Sequence, residues 1–195
     1  MAKILYLCAF KFKSTTVMQT VQVRDKQFAI SIPEAKIRER VTEVAAEISR
    51  DYEGKKPIFL AVLNGAFIFA ADLIRGITTD CEITFTRFSS YEGMGSTGNV
   101  EQLMGIKEIL KDRHVVIVED IIDSGLTMKY LLETVKSLGP KDVQIAALLL
   151  KPDNLRENLD IKYCCFRIPN DFIVGYGLDY DGEGRNLSSI YTVVG

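Results

Sequence analysis

Three carboxylates and a run of small residues follow a strongly apolar segment near the middle of the chain. Residues 115–127 read VVIVEDIIDSGLT. The four leading β-branched residues predict a buried strand of a parallel sheet, and the small residues Ser124, Gly125 and Thr127 lead into a predicted helix. Free backbone N–H groups at a helix N-terminus attract anions, whereas carboxylates bind hydroxyls, Mg²⁺ or a developing positive charge. This combination favours a sugar-phosphate site over solvated loop acids.

Predicted strands and helices alternate along the rest of the chain. This alternation predicts an α/β fold with a mostly parallel twisted sheet flanked by helices, whose site lies at the carboxyl ends of the strands. A helix is expected to begin with Ser31 as N-cap and Pro33 in its first turn and to end at Gly54. The other predicted helices cover residues 67–74 and 127–138, and the predicted strands cover residues 20–30, 58–63, 82–88, 115–118, 143–150, 163–166, 172–174 and 191–194.

Composition excludes several classes of protein. A chain of 195 residues, 47% hydrophobic, can bury a full core. Its net charge of −2 predicts no partner among nucleic acids and no anionic membrane surface. The four cysteines have no CxxC spacing and predict reduced thiols in a cytoplasmic protein. The single histidine, His114, argues against a zinc site because no second histidine or cysteine cluster accompanies it.

The N-terminal residues 1–17 have a different character from the rest. Their apolar run is short for a signal peptide and too short to span a membrane. We expect residues 1–17 to be a disordered or non-native extension, with Met18 as the start, and residues 18–195 to form a single domain.

A glycine-rich segment at residues 93–98 matches the spacing GxGxxG. A dinucleotide site is rejected because residues 89–92 separate these glycines from the preceding strand and no helix opens after them. A lid is the better interpretation, since Ser90 and Tyr91 lie next to this segment.

The string VEDIIDSGLT closely resembles the phosphoribosyl-pyrophosphate (PRPP) motif of type I phosphoribosyltransferases, in the form found in the hypoxanthine-guanine phosphoribosyltransferase family. Further similar segments follow in order: residues 62–67, 89–91 with 96–98, 150–152, 172–180, and Arg185. The resemblance implies the type I fold, with a small hood formed by N- and C-terminal segments. It also implies transfer of phosphoribose to hypoxanthine and guanine with Mg²⁺, by a homodimer or homotetramer.

The resemblance also implies roles for single residues. Asp123 is expected to accept the purine N7 proton, and Glu119 and Asp120 to hold the ribose hydroxyls. Some of these residues have a second implied role, and together the site residues fall into five groups. They are the 5′-phosphate cradle of Asp123, Ser124, Gly125, Leu126 and Thr127; the pyrophosphate site of Leu63, Asn64, Gly65 and Arg185; the lid, Ser90 and Tyr91; the purine site of Lys151, Phe172, Ile173 and Asp179; and the Mg²⁺ ligands Glu119, Asp120 and Asp179.

Plainer interpretations exist for several of these residues. Lys151 could be a solvated lysine, Phe172 a core residue and Arg185 a surface arginine. Ser124 stands where threonine is common in the family, and Asn64 where some members carry lysine. A xanthine-preferring enzyme and a non-catalytic PRPP-sensing regulator are the alternative functions.

Overall fold

The computed structural model describes residues 20–89, 101–102 and 110–194. The predicted extension at residues 1–17 and the predicted lid at Ser90 and Tyr91 lie outside these ranges. The elements are β1 (Thr20–Val23), β2 (Lys26–Ile32), α1 (Glu34–Asp51), β3 (Ile58–Leu63), α2 (Phe67–Gly76), β4 (Glu82–Ser89), β5 (Glu101–Gln102), β6 (His114–Ile122), α3 (Leu126–Ser137), β7 (Asp142–Leu150), a 3₁₀ turn (Pro152–Asn154), β8 (Tyr163–Arg167), β9 (Ile173–Val174) and β10 (Ile190–Val194).

The core is a six-stranded sheet in the order β5-β4-β3-β6-β7-β8. All its described neighbours pair in parallel except β5, which is antiparallel to β4 at the edge. Successive residues of β3 point to opposite faces: Phe59 packs with α1 and α2, whereas Leu60 packs with α3. The predicted parallel sheet with helices on both faces is therefore confirmed.

A second sheet forms a hood from segments near both ends of the described chain. Its order is β1-β2-β10-β9, and every pairing is antiparallel. The predicted single strand over residues 20–30 is wrong, because a two-residue turn at Arg24 and Asp25 folds it into a hairpin. Arg24 adopts a φ of +53° and pairs with Asp181 and Glu183 of the C-terminal segment at 3.1 and 3.3 Å.

The predicted N-cap of the first helix is also wrong. Ser31 belongs to β2, and its hydroxyl donates to the carbonyl of Ile190. The hydroxyl of Ser189 accepts from the backbone N–H of Glu34 at 3.1 Å instead. The cap therefore comes from a residue far along the chain, and it joins α1 to the hood.

Strand β6 is longer than the apolar run that predicted it. It continues through Ile122, so that Glu119 and Asp120 lie within the strand, near its C-terminal end, and not in the loop beyond it. Among the described residues, no helix combines the length and apolar character needed to cross a bilayer.

Candidate active site

The loop between β6 and α3 is the segment that was predicted to form an anion cradle. Gly125 precedes α3 with a φ of +81°, and the backbone N–H of Leu126 donates to the hydroxyl of Ser124 at 3.5 Å. The first N–H groups of α3 have no acceptor within the helix. Here they border a cavity of about 110 Å³, lined by residues 119, 121–125, 127 and 128. The predicted residues Ser124, Gly125 and Thr127 thus line one small cavity beside the start of α3.

Asp123 stands beside this cradle between two donors. The ammonium of Lys151 donates to Oδ2 at 2.9 Å, and the amide of Asn154 donates to Oδ1. Burial would raise the pKa of Asp123, but these two hydrogen bonds and the Lys151 charge hold it below its ordinary value. Asp123 is therefore ionised at neutral pH and available as an acceptor.

Lys151 is not the solvated lysine of the plainer interpretation. The residue is only 8% exposed, and its backbone N–H donates to the carbonyl of Ile122. A lysine this buried needs an anionic partner, and Asp123 supplies it.

Glu119 and Asp120 are adjacent and both partly buried. Burial, followed by the negative charge of Asp120, raises the pKa of Glu119 well above its ordinary value. The Asp120 carboxylate lies directly against Gly65, since a Cβ placed on Gly65 would be 1.6 Å from Oδ2. Only glycine leaves room there for the carboxylate.

The peptide bond between Leu63 and Asn64 is cis. It lies where β3 ends, and α2 begins at Phe67. The predicted pyrophosphate residues Leu63, Asn64 and Gly65 therefore form the loop between a strand end and a helix start, beside Asp120.

The C-terminal segment closes over this loop at Gly177. A Cβ on Gly177 would be 2.1 Å from the carbonyl oxygen of Gly65. Arg185 donates to the Gly177 carbonyl at 2.7 Å and pairs with Asp179 at 2.6 Å. Arg185, interpreted alternatively as a surface arginine, is thereby fixed beside the loop predicted to bind pyrophosphate.

Phe172 lies in the hood and is 43% exposed. Its ring centroid is 6.0 Å from that of Phe28 and 5.3 Å from that of Tyr180, which meets it edge-on. Ile173 is buried in β9. Phe172 is not a core residue, and its exposure leaves ring surface free for stacking.

The predicted metal ligands do not form a metal-binding cluster by themselves. Among the described residues, no group of three or more His, Cys, Asp or Glu side chains could hold a metal ion. Asp179 is occupied by Arg185, and its Oδ2 accepts from the N–H of Gly182. The hard oxygens of Glu119 and Asp120 still fit Mg²⁺, which commonly takes one or two carboxylates and completes its shell with phosphate and water.

The structure adds two residues that the sequence analysis missed. Asn154 contacts Asp123, and Gly177 contacts the pyrophosphate loop. The Pro152-Asp153-Asn154 turn after Lys151 was an available signal for the first, since such turns fix side chains locally. No sequence signal identified Gly177 because its neighbour, Gly65, is distant in the chain.

Comparisons with known proteins agree with this geometry. The model of the phosphoribosyl transferase domain matches residues 33–181. A hypoxanthine-guanine phosphoribosyltransferase of Streptococcus pneumoniae is 41% identical over 79% of this chain and 86% of the relative. The hypoxanthine-guanine phosphoribosyltransferase of Mycobacterium bovis is 40% identical over 80% of this chain and 81% of the relative. The crystal structure of a hypoxanthine-guanine phosphoribosyltransferase of Bacillus anthracis is similar with a TM-score of 0.79 and 43% identity, covering 85% of this chain and 96% of that one.

Proposed function

This chain belongs to the phosphoribosyltransferase family, and from that membership we propose that it is a purine-salvage hypoxanthine-guanine phosphoribosyltransferase. It transfers the 5-phosphoribosyl group of PRPP to N9 of hypoxanthine or guanine and releases pyrophosphate. The observation that carries the assignment is the pairing of buried Lys151 with half-buried Asp123 beside the proposed phosphate cradle. A sugar-phosphate site alone would explain the cradle but not a buried ammonium facing an acid.

The reaction forms the N9–C1′ bond and breaks the bond between C1′ and the pyrophosphate oxygen. Positive charge develops on the ribose ring and then on the purine, so the N7–H becomes acidic as the new bond forms. Asp123 takes that proton. Its lowered pKa makes it a weak base, but the purine is by then cationic, and its N7–H is acidic enough to be transferred. The neighbouring carboxylates Glu119 and Asp120 stabilise the positive ribose.

Lys151 gives the site its preference for a 6-oxopurine. Its ammonium offers only donors, which suit the O6 of hypoxanthine and guanine and not the amino group of adenine. In the described state the ammonium is bonded to Asp123. We therefore propose that the incoming base draws Lys151 towards O6, while Phe172 stacks on the purine and Ile173 and Asp179 border its edge.

The pyrophosphate is held by Leu63, Asn64, Gly65 and Arg185, and Glu119, Asp120 and Asp179 are the proposed carboxylate contacts for Mg²⁺. When bound, Mg²⁺ supplies charge neutralisation for the leaving pyrophosphate. Ser90 and Tyr91 remain the proposed lid, whose closure would exclude water from PRPP.

The site residues separate this proposal from one of its two alternatives, and an assay must separate it from the other. A PRPP-sensing regulator has no use for a base contact, whereas Asp123, Lys151, Phe172, Asp179 and Arg185 are all present. A xanthine-preferring enzyme would use the same residues and differs only in base selectivity. A spectrophotometric assay with Mg²⁺-PRPP against hypoxanthine, guanine, xanthine and adenine in parallel decides between them. Failure to turn over any 6-oxopurine would disprove the proposed function.

Replacing Lys151 with glutamine should raise the KM for hypoxanthine by about tenfold or more, because a charged hydrogen bond to O6 is lost. It should also raise the pKa of Asp123, since the Lys151 hydrogen bond and charge lower it. Activity that requires ionised Asp123 is present above its pKa and lost as the pH falls through it. The acid limb of the pH–rate profile should therefore move to higher pH.

Lys162 provides the matched control for this substitution. It is an exposed lysine that pairs with Asp51 at 2.7 Å and belongs to neither proposed substrate site. Lys162→Gln should leave the KM for hypoxanthine and the acid limb unchanged. Equal KM values for hypoxanthine in Lys151→Gln and in the unsubstituted protein would contradict the O6 contact.

We also propose a homodimer or homotetramer and a cytoplasmic location. The proposed assembly is supported by three exposed large apolar side chains at the start of α2 and on β4. Phe67, Ile83 and Phe85 are 43%, 39% and 37% exposed. The free thiols of Cys81, Cys164 and Cys165 support the proposed cytoplasmic location. Sedimentation velocity tests the assembly, where a purely monomeric species would disprove it, and activity in fractionated cells tests the location.

A further inference from the structure

The segment after Lys151 contacts the cradle loop and the first turn of α3 at four consecutive positions, residues 154–157. Its contacts are the Asn154 amide to Asp123, the Leu155 side chain against Gly125, the Arg156 N–H to the Ser124 carbonyl at 2.9 Å, and Glu157 to Lys129 at 2.8 Å. The loop that carries the proposed base is therefore braced along its length by the segment that carries the proposed purine contact.

Within this segment, Asn154 alone contacts the proposed base, according to the described side-chain hydrogen bonds. The 3₁₀ turn fixes its position, since the backbone N–H of Asn154 donates to the Lys151 carbonyl at 3.2 Å. Lys151 and Asn154 therefore approach the two oxygens of one carboxylate from opposite ends of a single turn.

The two donors differ in what binding of a purine requires of them. Lys151 must turn towards O6 and release Oδ2 of Asp123, whereas Asn154 has no proposed contact with either substrate. A neutral amide on Oδ1 can hold the carboxylate without competing for the proton, because the amide donates and carries no charge.

We propose that Asn154 is a positioning residue for phosphoribosyl transfer: it keeps the Asp123 carboxylate aimed at N7 of the purine after Lys151 has turned to O6. This inference rests on the proposed function and extends it to a residue that touches neither substrate.

Replacing Asn154 with leucine, which has a similar shape and no donor, tests the proposal. We expect kcat to fall about tenfold and the KM for PRPP to change by less than about threefold. The matched control is Asp153→Ala, since Asp153 is exposed in the same turn and should leave both constants unchanged. A fall in kcat confined to Asn154→Leu supports the proposal, and an unchanged kcat overturns it.

The pH profile separates positioning from a merely structural role. The charged groups that act on Asp123 are Lys151 and Arg156, and both remain in the variant. Loss of the Asn154 hydrogen bond should move the acid limb of the kcat profile to higher pH. Asn154→Asp, which adds a negative charge of similar shape, should move it further, and this second variant serves if the leucine variant does not fold.

A double-mutant cycle completes the test. In an Asp123→Asn background, Asn154→Leu should change kcat by less than about twofold, because its effect passes through Asp123. An undiminished tenfold effect in that background, or an unshifted acid limb, would overturn the inference. Failure is distinguishable from failure of the proposed function, since the unsubstituted protein must first convert a 6-oxopurine with PRPP.

Discussion

Replacing Asp123 with asparagine should lower kcat for nucleotide formation by about a hundredfold, within the usual range for loss of a general base. The substitution preserves the shape of the side chain and an oxygen that can accept from Lys151, but an amide cannot take the N7 proton. The KM for PRPP should stay within about threefold, because the proposed cradle consists mainly of backbone N–H groups and the Ser124 and Thr127 hydroxyls. Initial rates at saturating hypoxanthine and calorimetric PRPP titration measure the two effects.

Asp153→Asn is the matched control for this substitution. It makes the same chemical change on an exposed aspartate of the neighbouring turn and should leave kcat unchanged. Thermal melts of both variants report whether unpairing the buried ammonium of Lys151 unfolds the protein. If PRPP binding collapses in Asp123→Asn while kcat at saturating substrates persists, Asp123 belongs to the cradle and is not the base.

The sequence predicted the sheet well because its signal is local. Strands β3, β6 and β7 are apolar runs that must be covered on both faces, and the spacing of Ile37, Val41, Val44 and Ile48 places one face of α1 on the core. The loop that carries the proposed cradle was predictable for the same reason, since strand, small residues and helix start follow one another without interruption.

Errors arose where a partner distant in the chain decides the local structure. The hairpin at Arg24 is held by Asp181 and Glu183, and the cap of α1 comes from Ser189. Neither residue lies near its partner in sequence, and local propensity alone favours a continuous strand and a serine cap. The hydrogen bond from Asn154 to Asp123 was missed likewise, because it depends on β7 pairing beside β6.

The contact between Gly177 and Gly65 is the clearest case of a long-range constraint, and it predicts a large effect. Replacing Gly177 with alanine should destabilise the fold by about 3 kcal/mol, combining an unfavourable backbone conformation with overpacking. The φ of Gly177 is +104°, and the added Cβ would lie 2.1 Å from the Gly65 carbonyl oxygen. For a chain of this size the expected fall in Tm is about 6–12 °C, measured by a thermal melt.

Activity should fall as well, because backbone must move to admit the new methyl group. Gly177 exchanges hydrogen bonds with Arg185, and Gly65 supports the Asp120 carboxylate, so displacement of either segment separates the proposed pyrophosphate clamp from the ribose site. We expect the KM for PRPP to rise at least about tenfold. Gly139→Ala is the control, since that glycine has a φ of +72° with nothing within 4 Å of an added Cβ. It carries the backbone cost without the clash and should leave the KM for PRPP unchanged. Equal Tm and KM values in the two variants would show that the approach of Gly177 to Gly65 has no part in holding the site together.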